Sequence, residues 1–199
     1  MSVNISIRNE IERDYGIVEH LTRDAFWDIY KPGSNEHLLA HNLRQCKAFL
    51  PELDFVAVHD DYIVGNIMYS AAQVTDDNGC AHPVLTFGPL SVLPAFQKQG
   101  VGTALVRHTL AIARKIGYPA VVIFGKPEYY HRFGFVNAEK FQITTKEGTT
   151  FDSFMVLELH EGALKGITGR FNEDAVFDIA PSELEVFDKY FPYREKHVT

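Results

Sequence analysis

The spacing of apolar and polar positions changes period several times along the chain, and each change marks an element. Residues 5–9 alternate and predict a first strand. Ile17, Leu21, Ala25 and Phe26 then recur at helical spacing, which predicts an amphipathic helix over about residues 14–30, broken by Lys31-Pro32-Gly33-Ser34. A second helix, about residues 36–49, carries Leu38, Leu39, Leu43 and Cys46 on one side, and Pro51 limits its end. Two strands, 54–59 and 62–72, read as a hairpin through Asp60-Asp61. After the turn chemistry of Thr75-Asp76-Asp77-Asn78-Gly79, residues 84–93 form another strand containing Gly88-Pro89.

Helical spacing returns over residues 100–116, with Val101, Leu105, Ile112 and Ile116 inward and Arg107, Arg114 and Lys115 outward, and Gly117 closing the helix. Arg114 and Lys115 suit the negative end of its dipole. The run 120–124 is wholly apolar, which predicts a strand buried on both faces. Two further strands are expected at about 140–144 and 154–159. The remaining residues, about 160–199, form a charged, aromatic tail through Phe191-Pro192-Tyr193 that is expected to pack back on the body. No linker or internal repeat interrupts the chain, so residues 1–199 are read as a single domain.

Composition narrows the function classes. With 199 residues and 46% hydrophobic content, the chain has enough material to bury about 70% of its unfolded surface. A net charge of −7 argues against nucleic acid and anionic membranes as partners. It favours small cationic substrates only weakly, since an acidic surface is mostly a solubility device. No run approaches the roughly 20 apolar residues of a membrane helix, and MSVNISIRNE lacks the features of a signal peptide. Cys46 and Cys80 suggest neither a disulfide framework nor a zinc site, and a reducing, cytoplasmic setting is the default. His37 and His41 stand one helical turn apart without a third ligand and are read as a solvated helix face.

The informative segment runs from Gly88 to Thr103, a strand entering a glycine-containing turn that opens a helix. Backbone N–H groups at a helix start lack intrahelical partners, and the helix dipole adds positive potential, so the turn is suited to a phosphate. Gly100 and Gly102 let an anion approach the backbone. A Walker loop would need a lysine after Gly102, where Thr103 stands. A dinucleotide fingerprint would need a third glycine at the position of Leu105.

The pattern Gln97-x-x-Gly100-x-Gly102 after an apolar strand and a proline resembles the acetyl-CoA signature of the GNAT superfamily of N-acetyltransferases. A second segment agrees. Tyr129, Tyr130, Gly134 and Phe135 match an aromatic-Tyr-x-x-x-Gly-Phe pattern, and with Ala163-Leu164-Lys165-Gly166 they are similar to a bacterial YhbS-like subgroup. The resemblance implies an α/β (α+β) fold with a mixed central sheet flanked by helices. It further implies acetyl-CoA as co-substrate, no metal, and a primary amine of a small molecule or protein as acceptor, in a superfamily where homodimers are common. It places the backbone of Gln99, Gly100, Val101, Gly102 and Thr103 on the CoA pyrophosphate, with Gln97 supporting the turn and Lys98 adding charge.

Transfer of an acetyl group to an amine needs a neutral amine, stabilisation of the oxyanion, and a proton for the departing thiolate. The main chain of Leu90 and Val92, beside the missing donor of Pro89, is expected to hold the pantetheine and thioester carbonyl. By the same resemblance, the Tyr130 hydroxyl is expected to act as the acid. His82, Glu128 and His131 are all conceivable bases for the amine, and no spacing singles one out. The competing readings are a non-catalytic CoA-binding or sensor module and an enzyme for a longer acyl-CoA.

Overall fold

The computed structural model describes residues 3–197; the first and last two positions of the expected domain and tail lie outside that range. The chain forms two compact units. The first is built from residues up to Met68, from Gly88–Val106 and from Ala175 onward; the second comprises Tyr69–Phe87 and Arg107–Asp174.

In the first unit, β1 (Ser6–Asn9) pairs antiparallel with β2 (Phe55–His59), which pairs antiparallel with the first half of β3 (Tyr62–Thr75). The register slips between Ala57 and Val58. Helix α1 (Tyr15–Phe26) lays Val18 and Leu21 on Val56 and Ile63. It is shorter than its pattern predicts because the chain turns at Asp28, whose backbone is left-handed and whose carboxylate accepts from the Gly33 N–H at 2.6 Å. Ile17, expected inward, is 52% exposed, so the buried stripe runs through Val18, Leu21 and Thr22 instead. Helix α2 (Glu36–Leu43) is likewise shorter than expected, breaking into turns before Phe49.

The tail packs within the same unit. After α5 (Pro181–Phe187), Phe191 sets its ring against His20 and His37, and the Glu195 carbonyl accepts from Trp27 Nε1 at 3.0 Å. Arg23 and Arg194 lie over the Trp27 ring.

In the second unit, β3 from Tyr69 onward lies beside β4 (Ala81–Val92), whose part up to Phe87 joins β5 (Ala120–Phe124), which runs parallel to β4 with Leu85 opposite Val121. β8 (Phe154–Glu158) pairs antiparallel with β5 and with β6 (Val136–Asn137). Ala120–Ile123 are buried as a doubly covered strand requires, whereas Phe124 is 47% exposed. The strand expected over 140–144 is mostly a 3-10 turn, leaving only β7 (Ile143–Thr144). β9 (Gly169–Asn172), which the pattern does not predict, joins β7 to the end of β3. Its Phe171 completes an apolar core with Val74, Val84, Val122, Phe154 and Val156. The sheet is therefore mixed and mostly antiparallel, flanked by helices, as the sequence implies.

Helix α3 (Val101–Lys115) buries Val101, Leu105, Val106 and Leu110. Ile116, expected inward, lies past the helix end and is 41% exposed. Among the described residues, no helix is long and apolar enough to cross a membrane.

Candidate active site

The turn between β4 and α3 is held by its own side chains. Gln97 Nε2 donates to the Val92 carbonyl at 3.1 Å, tying the turn to the end of the strand, and Gln99 Nε2 donates to the Ala95 carbonyl at 2.7 Å. Gly100 has φ of +93°, and a Cβ there would meet nothing within 4 Å, so its face of the turn is open. Lys98 is exposed and also has a positive φ, at 59°. The first helical bond runs from Ala104 N–H to the Gly100 carbonyl at 2.9 Å. The amides of Val101, Gly102 and Thr103 thus precede any intrahelical acceptor. Geometry and chemistry here fit a pyrophosphate: donors without helical partners, an open glycine, and one nearby cation.

Leu90 and Val92 are half-buried in the last part of β4, and the Gly88-Pro89 peptide before them is cis. Between them, Ser91 is fully buried, and its hydroxyl meets that of Thr22 on α1 at 2.9 Å. Sequence reasoning missed this contact. Its only trace is a threonine inside the buried stripe of α1. The bond fixes which way β4 faces around Leu90 and Val92, because side chains alternate along a strand.

Tyr130 is the last residue of the short helix α4 (Pro127–Tyr130). Its half-buried ring sits among Phe87, Tyr129 and Phe135, at centroid distances of 5.8, 4.9 and 5.7 Å. Phe87 in turn packs on Tyr69, whose hydroxyl bonds Thr109 Oγ1 at 3.0 Å and whose phenol is pushed up by burial. The ring of Tyr130 lies directly over Gly125, the residue that follows β5 and to which the sequence pattern assigns no role.

The three conceivable bases remain unequal in setting. Glu128 and His131 are exposed on α4 and the turn after it, with Arg132 donating to the Glu128 carbonyl at 3.3 Å. His82 Nε2 faces Asp76 Oδ2 at 3.4 Å. Of the two histidines of α2, expected on a solvated face, His41 keeps 40% of its side chain exposed and His37 does not. His37 is fully buried, with Nε2 3.1 Å from Asp188 Oδ1 and its ring between Phe187 and Phe191. His41 pairs with Glu19 at 3.0 Å. His37 is buried because Phe187, Asp188 and Phe191 of the tail cover it, on a side of α2 that its sequence leaves polar.

A family model described as the Acetyltransferase (GNAT) family matches residues 18–135, a span that takes in the turn, Tyr130 and the Gly134-Phe135 pair. The chain belongs to the GNAT acetyltransferase family. It is 32% identical over 164 residues to the uncharacterized N-acetyltransferase YhbS of Escherichia coli K12, covering 82% of this chain and 92% of that one. A shorter likeness, 31% over 104 residues, links it to YjhQ of the same organism and spans 51% of this chain and 56% of the relative. Among solved structures, the GNAT family N-acetyltransferase YhbS from Escherichia coli in complex with CoA superposes with a TM-score of 0.78 at 30% identity, covering 90% of this chain and 94% of the other. A GNAT family acetyltransferase from Brucella melitensis in complex with acetyl-CoA superposes with a TM-score of 0.69 at 28% identity, covering 88% and 99%. The GNAT assignment makes the chain an acyltransferase.

Proposed function

We propose that this acyltransferase moves the acetyl group of acetyl-CoA to a primary amine of a small molecule or protein, by direct attack while both substrates are bound. The observation that carries the reading is the turn at the start of α3: Gln97 tied to Val92, Gly100 left-handed and open, and the amides of Val101, Gly102 and Thr103 ahead of the first helical bond. Relatives with this fold bind CoA and acetyl-CoA. In our reading the backbone of Gln99 to Thr103 holds the pyrophosphate, with Lys98 contributing charge and Gln97 bracing the turn. The main chain of Leu90 and Val92 holds the pantetheine arm and the thioester carbonyl. Acetyl-CoA supplies an acyl group already activated as a thioester.

Tyr130 acts as the acid that protonates the departing sulfur. A phenol of ordinary pKa about 10 lies close enough to a thiol's for that transfer to be efficient. Packing on Phe87 and Phe135 fixes the position of the ring. We assign the reaction to the cytoplasm, where Cys46 and Cys80, neither of them in a disulfide, stay reduced, and to residues 1–199 acting as one catalytic domain.

Calorimetric titration with acetyl-CoA, followed by a screen of amines with wild type and Tyr130→Phe, tests the reading. Binding by both proteins with turnover lost on the order of 10²-fold or more in the variant supports it. Unchanged turnover removes Tyr130 from the mechanism. Binding without turnover on any amine makes the chain a CoA-binding module, and no binding by folded protein overturns the assignment of the turn.

A further inference from the structure

The hairpin turn between β3 and β4 gathers three different metal-ligating side chains, Asp76, Cys80 and His82, the last of which is one of the three conceivable bases. Asp76 organises the turn. Its Oδ1 accepts from the N–H groups of Asn78 and Cys80, both at 2.9 Å, while its own N–H donates to the Cys80 carbonyl at 3.0 Å. One carboxylate oxygen is therefore spent on the turn, and the other, Oδ2, faces His82 Nε2 at 3.4 Å. Cys80 directly precedes β4 and His82 is the second residue of that strand. One donor atom from each of Asp76, Cys80 and His82 lies within 4.8 Å of the other two.

We propose that Asp76, Cys80 and His82 form a binding site for a zinc-like divalent transition metal at the tip of this hairpin. The ligand set selects the ion. A thiolate, an imidazole and a carboxylate together suit Zn²⁺ and its neighbours, whereas Ca²⁺ and Mg²⁺ want oxygen alone. Bonds of about 2.0 Å to nitrogen and oxygen and 2.3 Å to sulfur, set at tetrahedral angles, put donors roughly 3.3–3.5 Å apart. The Asp76–His82 separation of 3.4 Å already meets that requirement. The Cys80 sulfur is exposed and lies within 4.8 Å of both other donors, so about 1 Å of approach by side-chain rotation closes the set. On binding, the Cys80 thiol releases its proton to solvent and the neutral imidazole of His82 supplies its Nε2 lone pair, leaving one position for water. The bound ion pins the turn to the first residues of β4. It takes no part in moving the acetyl group.

The spacing Asp-x-x-x-Cys-x-His is invisible to a search for paired cysteines, because three ligand types from one turn replace the usual repeated ones.

The test is anaerobic titration of the full chain, freed of metal by chelator, with Co²⁺. The expected result is one tightly bound cobalt with a thiolate-to-cobalt charge-transfer band and intense tetrahedral d–d absorption, displaced by Zn²⁺. Cys80→Ser removes the sulfur band, Cys46→Ser keeps it, and His82→Ala weakens binding at least about 10-fold. Circular dichroism verifies that each variant is folded. A folded wild type without the sulfur band, a band lost with Cys46 rather than Cys80, or equal cobalt affinity in wild type and His82→Ala would overturn the proposal.

Discussion

A Cβ placed on Gly125 would overlap the ring carbons of Tyr130, so the tyrosine occupies its position only because that residue has no side chain. Gly125→Ala leaves the hydroxyl in the protein but forces the ring away. If Tyr130 is the acid, turnover falls by about 10- to 100-fold, as small misplacements of reacting groups do, while acetyl-CoA affinity stays within about twofold. The ratio of kcat to acetyl-CoA Kd, measured beside Tyr130→Phe, checks this. Equal activity in Gly125→Ala and wild type would show that the ring's position is immaterial.

Gly100 offers a parallel test of the turn. At φ of +93° an alanine strains the backbone by about 1 kcal/mol or more. The strain falls on the peptide that leads into the proposed pyrophosphate site. Gly100→Ala is expected to weaken CoA binding several-fold and to leave pantetheine, which lacks the pyrophosphate, unaffected. Calorimetry with the two ligands separates a damaged turn from a damaged fold, since general loosening would weaken both.

Much of the first unit and the glycine turn at the start of α3 was legible because the relevant physics is local. Helix starts, glycine turns and alternating strands are encoded within a few residues. Gln97, Gly100 and Gly102 could be read directly. What escaped depends on partners far away in sequence. His37 looked solvated because nothing near it reveals Phe187, Asp188 and Phe191. Ile17 satisfied the helical period yet faces outward, because Leu21 and Val18 suffice for the contact with Val56 and Ile63. β9 is only four residues long and exists through its pairing with β3 and β7, so its own sequence carries little strand signal. Gly125 was legible as a glycine but not as the floor beneath Tyr130.

The buried His37 predicts acid sensitivity. Burial lowers its pKa from 6.5 to about 4, against the opposing pull of Asp188 and with help from Arg23 and Lys196. The unfolded chain therefore takes up a proton that the folded one refuses, and stability is full above pH 6.5 and falls as pH drops toward 4. The shift sets an upper bound of about 3 kcal/mol on the loss. Trp27, the sole tryptophan, packs on Arg23 and Arg194 and donates its indole N–H to the Glu195 carbonyl of the tail, so its fluorescence reports this packing. Urea midpoints followed by Trp27 should decline between pH 7 and pH 4.5, and His37→Gln should flatten the decline. Carboxylates held below their ordinary range, such as Asp14 beside Arg8, contribute at lower pH. A decline of the same slope in His37→Gln would assign it to other groups.

Asp54 carries the opposite sign. It is buried at the start of β2, accepts from Asn66 Nδ2 at 3.1 Å, and shares a hydrogen bond with Glu10, which Arg44 holds at 2.8 Å. Burial comes first among the causes that push the Asp54 carboxyl far above its ordinary value, and the neighbouring Glu10 carboxylate adds to it. The folded chain therefore retains a proton that the unfolded chain loses, so the stabilisation is complete in acid and is lost as pH rises above the ordinary carboxylate range. Asparagine imitates the protonated acid, with an oxygen to accept from Asn66 and an N–H₂ to donate to Glu10. Asp54→Asn is expected to melt at a higher temperature than wild type near pH 8, with the gap closing as pH falls toward 4. Thermal denaturation of both proteins across that range checks it. A variant less stable than wild type at pH 8 would mean that Asp54 is ionised in the folded protein and that Arg44, rather than a shared proton, balances the pair.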